Sequence, residues 1–271
     1  MTENFFIAAC CSAGQKKFGV ELGPLNLDIK YNHIITQDLF FKDGYQLLYD
    51  KVYENMDKFI ITIGGDHSIA AGNVGAIVDY YNIVKNKKIF ILWIDAHTDI
   101  NTYETSSSKN THGMPVAFLM HLCKQNIVNL KTKLEPYQII YIGVRDIDPP
   151  EKKLLEELNI KYFTNQYINS VGIYNVINEI QNIIGNEDIH ISLDVDGIDP
   201  KYCPSTGITV ENGLSIDNII DIIDSYNKQL VSFDVTEYNP FETSLEDSDL
   251  TKKNINKIIK FVVNSRKNFY Q

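Results

Sequence analysis

Five short apolar runs recur along the chain with helix-length segments between them: FIITIGG (59–65), IFILWI (89–94), IIYIGV (139–144), IHISLDV (189–195) and LVSFDV (230–235). Each is apolar on both faces that an extended strand presents, so each must be covered on two sides. A parallel sheet layered between helices meets that demand. The expected fold is therefore α/β: one domain over residues 1–271, three-layer α/β/α, with a mainly parallel, doubly wound sheet. The apolar run near the N-terminus reads as the first core strand. Helix candidates occupy 43–58, 68–85, 150–158, 173–184 and 244–267, and the clearest follows Ser215. That serine is a plausible N-cap, and Ile216, Ile219, Ile220 and Ile223 form an apolar stripe at helical spacing. No Pro-, Gly- or Ser-rich linker divides the chain and no repeat recurs. The only extended polar loop is 102–112.

In such sheets ligands sit beyond the carboxyl ends of the strands, and every polar motif of this chain falls there. WIDAHTDIN follows IFILWI and places Asp95, His97 and Asp99 at alternate positions, hence on one side. FIITIGGDHS ends in Asp66 and His67, and IHISLDVDGIDP ends in Asp194 and Asp196, again two apart. Carboxylates converging in this way repel unless something positive joins them. Four carboxylates (Asp95, Asp99, Asp194, Asp196) and two imidazoles (His67, His97), without a thiolate, suit divalent manganese or a similar ion. The ligand number suits two ions rather than one. Two such ions can share a bridging water and lower its pKa, giving a hydroxide nucleophile near neutral pH.

Other polar residues speak less clearly from sequence. His112, in NTHGMP, reads equally as a proton shuttle or a surface histidine. Glu237, in FDVTEYNP, is placed to meet a cationic group or to be solvated. His33, His121 and His190 read as structural or exposed, and Cys203 has no basic partner nearby in sequence. The formal net charge is −10 and the pI about 5.1, with no long basic run. That argues against nucleic acid or an anionic membrane as partner and is compatible with a cationic small-molecule substrate. Four cysteines at 10, 11, 123 and 203 match no disulfide or zinc spacing and read as reduced thiols of a cytoplasmic protein. The N-terminal run lacks a preceding basic residue and is a poor signal peptide. The longest apolar runs fall far below the roughly 20 residues of a membrane helix.

GGDHS, DAHTDIN, SLDVDGIDP and EYNP, in this order and spacing, closely resemble the ureohydrolases, the family of arginase, agmatinase and formimidoylglutamase. DAHTDIN, Ser108-Lys109-Asn110 before His112-Gly113, and YIGVRDIDPPE look like the arginase branch. The resemblance implies hydrolysis of the guanidinium group of L-arginine to L-ornithine and urea, with two manganese ions per chain. It implies that His67 and Asp99 hold one ion, His97 and Asp196 the other, and that Asp95 and Asp194 bridge them. His112, Glu237 and Asp99 become the catalytic residues, His112 as proton shuttle and Glu237 as the acid that orients the guanidinium. Asn101, Ser106 and Ser108 match positions that hold the substrate carboxylate, and Asp148 the one that meets the α-amino group. Asn110, Asp146 and Glu151, in the same segments, join the substrate-side set. A homotrimer is the implied assembly, although the chain ends at Gln271 without the long tail that helps hold some trimers. The sequence departs from the family at Ile208, Thr209, Glu211 and Asn212, where a Thr-Pro and a more apolar stretch are usual. Open alternatives are agmatinase or another guanidino-compound hydrolase, and a catalytically impaired relative with a binding role.

Overall fold

A computed structural model describes residues 3–267 of the chain; residues 1–2 and 268–271, including the chain end at Gln271, lie outside the described residues. The strands are β1 (Asn4–Ala9), β2 (His33–Ile35), β3 (Phe59–Gly64), β4 (Ile89–Ile94), β5 (Ile139–Val144), β6 (Lys161–Thr164), β7 (Asp188–Asp194) and β8 (Leu230–Thr236). They form one eight-stranded sheet in the order β2-β1-β3-β8-β7-β4-β5-β6. Every neighbouring pair is parallel. The sheet is thus fully, not mainly, parallel, and β8, the last of the described strands, is paired in its middle between β3 and β7.

Alternate residues of the central strands enter opposite cores, as their two-faced apolarity requires. Phe59, Ile61 and Ile63 of β3 and Phe90, Leu92 and Ile94 of β4 join one cluster, with helices Ile173–Ile184, Ile216–Ser225 and Leu245–Lys267. Ile60, Ile89, Ile91 and Trp93 face the other, with helices Gly44–Glu54, Ala70–Tyr80 and Pro149–Glu157.

Two strands, β2 and β6, were not expected. They are three and four residues long at the two sheet edges and partly exposed, so their sequence carries no buried apolar run. The expected helix over 68–85 is broken in three: a 3-10 turn at His67–Ile69, an α-helix at Ala70–Tyr80 and a π turn at Tyr81–Lys85. The first break arises because the Asp66 side chain caps the turn, accepting from Ser68 N at 3.0 Å. Among the described residues no helix is long and apolar enough to cross a membrane. All four cysteines are free thiols.

Candidate metal centre and active site

β3, β8, β7 and β4 are consecutive in the sheet, so the motifs at their carboxyl ends meet although the chain separates them widely. Gly65 makes the first turn possible, because a Cβ there would stand 2.0 Å from the Cys11 carbonyl oxygen. Beyond it, His67 turns Nδ1 toward three carboxylate oxygens: Asp194 Oδ2 at 3.1 Å, Asp99 Oδ2 at 3.2 Å and Asp95 Oδ2 at 3.3 Å. His97 Nδ1 lies 3.0 Å from Asp196 Oδ2 and 3.5 Å from Asp95 Oδ1. Two groups of potential ligand atoms result, His67–Asp95–Asp194 and Asp95–His97–Asp196, and Asp95 belongs to both.

His67 is held from behind by residues that sequence inspection passed over. Its ring stacks on Trp93, centroids 4.2 Å apart. Its Nε2 meets Ser192 Oγ at 3.0 Å, and that hydroxyl donates to Asp234 Oδ1 at 2.8 Å. Since the serine proton is committed to Asp234, Ser192 accepts from His67 Nε2–H. The tautomer so selected leaves Nδ1 as a bare lone pair. Asp234 in turn accepts from His190 Nε2 (2.9 Å) and Asn73 Nδ2 (2.7 Å), and His190 Nδ1 meets Ser232 Oγ at 2.8 Å, all fully buried. His190 is thus a buried structural histidine.

Burial opposes a charge on His67, yet Asp194, Asp95 and Asp99 raise its pKa well above 6.5, so the buried Nδ1, without a hydrogen-bond partner, calls for a positive charge between it and these carboxylates, a proton or a metal cation. The carboxylates report the same frustration. Burial, then Asp196 and Asp95, raise the Asp194 pKa well above the usual range. Burial and Asp95 push Asp196 up to about 6 and raise Asp99 as well. Asp95, though buried, is held below the carboxylate range by His67 and His97. Mixed oxygen and imidazole donors with surplus negative charge fit divalent ions.

A cavity of about 150 Å³ opens over these groups. His97, Asp99, Asp194 and Asp196 line its floor, and the walls include Asn101, Ser106, Ser108, Asn110, His112, Asp146, Asp148, Glu151 and Glu237. His112 Nδ1 is 3.2 Å from Glu237 Oε1, which also accepts from His67 N at 2.9 Å. Gln15, another residue missed in the sequence, donates to Glu237 Oε2 at 2.9 Å. Glu237 is buried, yet the His112 hydrogen bond keeps its pKa low. Burial opposes a charge on His112 as well, but Glu237 raises its pKa to about 9. Asp99 (φ 49°) and Glu237 (φ 66°), both lining the cavity, occupy the left-handed region.

The loop over 102–112 is built from short side-chain turns, with Ser106 Oγ accepting from Lys109 N and Ser108 Oγ from Asn110 N. Asn101 donates to Asp148 Oδ2 at 3.1 Å. Asp148 and Glu151 form a capping box at the start of helix Pro149–Glu157, and Glu151 Oε1 also accepts from Ile100 N. Glu151 is buried and thereby ties the helix to the loop. Burial and Asp99 push its pKa up to about 7. Asp146 stands at the rim, 3.7 Å from His97 Nε2.

The arginase family model matches residues 22–260. The arginase of Plasmodium berghei is 39% identical over 230 residues, 81% of this chain and 63% of that protein. The arginase of Saccharomyces cerevisiae is 39% identical over 210 residues, 72% of this chain and 62% of that one. The chain thus spans a little under two thirds of the length of these two relatives. Entamoeba histolytica arginase, 32% identical, is matched over 94% of this chain and 95% of its own. Its crystal structure in complex with L-ornithine superposes with a TM-score of 0.83 at 30% identity, covering 97% of this chain and 99% of that one. Arginase from Bacillus subtilis gives a TM-score of 0.83 at 28% identity, covering 96% and 98%. On the family match over most of its length and on these relatives, the chain belongs to the arginase family.

Proposed function

We propose that the protein is an arginase, hydrolysing the guanidinium group of L-arginine to L-ornithine and urea. The observation that carries this reading is the pair of ligand groups sharing Asp95 at the floor of a cavity whose wall holds the His112–Glu237 ion pair. The ions are proposed as two manganese per chain, His67 and Asp99 on one side, His97 and Asp196 on the other, with Asp95 and Asp194 between. When bound, they would supply charge neutralisation and Lewis-acid activation of water.

The chain's own residues do the rest. Glu237, kept ionised, offers the planar guanidinium a charge-assisted contact and so orients its carbon over the floor. His112 is cationic at neutral pH and gives its proton to the departing amine. Asn101, Ser106, Ser108 and Asn110 present donors to the substrate carboxylate, and Asp148, with Asp146 and Glu151 beside it, presents negative charge to the α-amino end. We place the protein in the cytoplasm as a single domain over 1–271, and as a homotrimer, for which light scattering at micromolar concentration is the check.

The deciding experiment is detection of urea and ornithine after incubating manganese-loaded protein with L-arginine. Agmatine lacks both the carboxylate and the α-amino group. Two site handles left unpaired, at about 1–3 kcal/mol each, make it a poorer substrate by roughly a hundredfold or more in kcat/KM. Equal use of agmatine would replace the arginase reading with a broader guanidino-hydrolase one, and no turnover of either would leave a binding role.

A further inference from the structure

Arg145 follows β5 directly and spends all five of its N–H donors on main-chain oxygens. Nε reaches Glu211 O at 3.1 Å, one terminal nitrogen reaches Gly143 O at 3.0 Å and Gly197 O at 3.4 Å, and the other reaches Asp196 O at 2.6 Å and Val210 O at 2.7 Å. None of these partners is a carboxylate. The guanidinium therefore brackets three separate stretches: the end of β5, the turn that carries Asp196, and the irregular segment 207–213.

That segment contains no helix or strand and is fixed through its backbone. Lys17 Nζ holds Gly207 O, Asn165 Nδ2 holds Asn212 O and Gly213 O, and Gly213 N donates to Asp199 Oδ2 at 3.0 Å. None of these bonds uses a side chain of 207–213. Yet Gly207 and Ile208, at its start, line the cavity beside Glu237: a Cβ on Gly207 would lie 3.8 Å from Glu237 Oε2 and 3.6 Å from Gln15 Oε1. Ile208, half exposed, is the one apolar side chain among the described lining residues.

We propose that Arg145 is a positioning residue that clamps 207–213 as a cavity wall, and that Ile208, carried on this fixed backbone, is a specificity-determining contact for the substrate's apolar stem. The inference rests on the arginase reading and deepens it.

The test compares wild type, Arg145→Lys and Ile208→Ser, each loaded with manganese, by hydrogen exchange over 207–213, metal content, and KM and kcat for L-arginine. Lysine keeps the charge but has no planar fork to span three segments. Arg145→Lys should speed exchange in 207–213 and raise KM about tenfold with kcat nearly unchanged. Its metal content should hold, because Asp196 N remains bonded to Asp194 Oδ1 at 2.8 Å. Ile208→Ser should leave exchange at the wild-type level and shift KM by about threefold or more. If Arg145→Lys does not fold, Asn165→Ala, which frees the other end of the segment, is read in the same way. Wild-type exchange and KM in Arg145→Lys, or metal loss with KM unchanged, would overturn the proposal. If wild type fails to cleave arginine, the functional reading falls, and exchange in Arg145→Lys still decides the clamp.

Discussion

Asp95 is the carboxylate that both candidate ligand groups share, and both its oxygens are also braced, by Trp93 Nε1 at 2.9 Å and His97 N at 2.7 Å. Asp95→Ala should lower bound manganese from two per chain to one or none and cost activity more than the roughly 10–100-fold typical of residues one layer further out. Full metal content in that variant would remove its bridging role. His112 allows a prediction in pH. Its pairing with Glu237 raises the folded-state pKa from 6.5 to about 9, so the pair's stabilisation is complete below pH 6.5 and fades as pH rises through 9. The melting-temperature gap between wild type and His112→Asn should therefore be widest near pH 6 and close above pH 9. A gap that does not change with pH would show His112 to be neutral. Asp148 needs a gentler substitution than alanine, because it caps a helix besides facing the cavity. Asp148→Asn retains a capping oxygen while removing charge, and should narrow the preference for arginine over agmatine without lowering stability. At this scale the ligand motifs were legible because their polar residues follow directly on the apolar runs, although Asp95, His97 and Asp99 lie in the bend beyond β4, with Asp99 at φ 49°, so the fold of that bend and not strand alternation brings them together. Gln15, Ser192, Asp234 and Arg145 were not, because each acts on a partner brought near only by the fold, Gln15 on a residue 222 positions away.

Elements were readable in proportion to how much apolar surface they bury. The central strands announced themselves through their two-faced runs, and helix Ile173–Ile184 has the bounds its periodicity implied. β2 and β6, short and at the edges, bury too little to mark the sequence, and 68–85 hid two changes of helical pitch beneath one apolar pattern. Ser215 is the N-cap expected of it: its hydroxyl accepts from Asn218 N at 3.0 Å, and Asn218 Oδ1 accepts from Ser215 N at 3.1 Å. Ser215→Ala should cost about 1 kcal/mol, a fall of about 2–4 °C in Tm, with kcat/KM for arginine unchanged. Loss of activity at unchanged Tm would instead tie that helix to the site.

For the molecule as a whole, buried carboxylates and a bare imidazole lone pair are liabilities that bound cations turn into stabilisation of the folded state. Removing metal with a chelator should lower Tm by several degrees, and added manganese should restore it; an unchanged Tm would argue against tight ion binding. The place of β8 bears on how such a chain comes into being. It is the last of the described strands in the chain, yet it is paired in the middle of the sheet, with Ile60 of β3 set against Ser232. Without it, β2-β1-β3 and β7-β4-β5-β6 would be two half-sheets, each with an unpaired edge where β8 now sits. His67 belongs to one half, Asp95, His97, Asp99, Asp194 and Asp196 to the other, and Glu237 arrives with the closing strand itself. The metal centre therefore lies across a seam. The Asp95–His97–Asp196 group lies within one half, but the full six-ligand set exists only when the halves join, so the appearance of binding of a second manganese ion during refolding would time that moment.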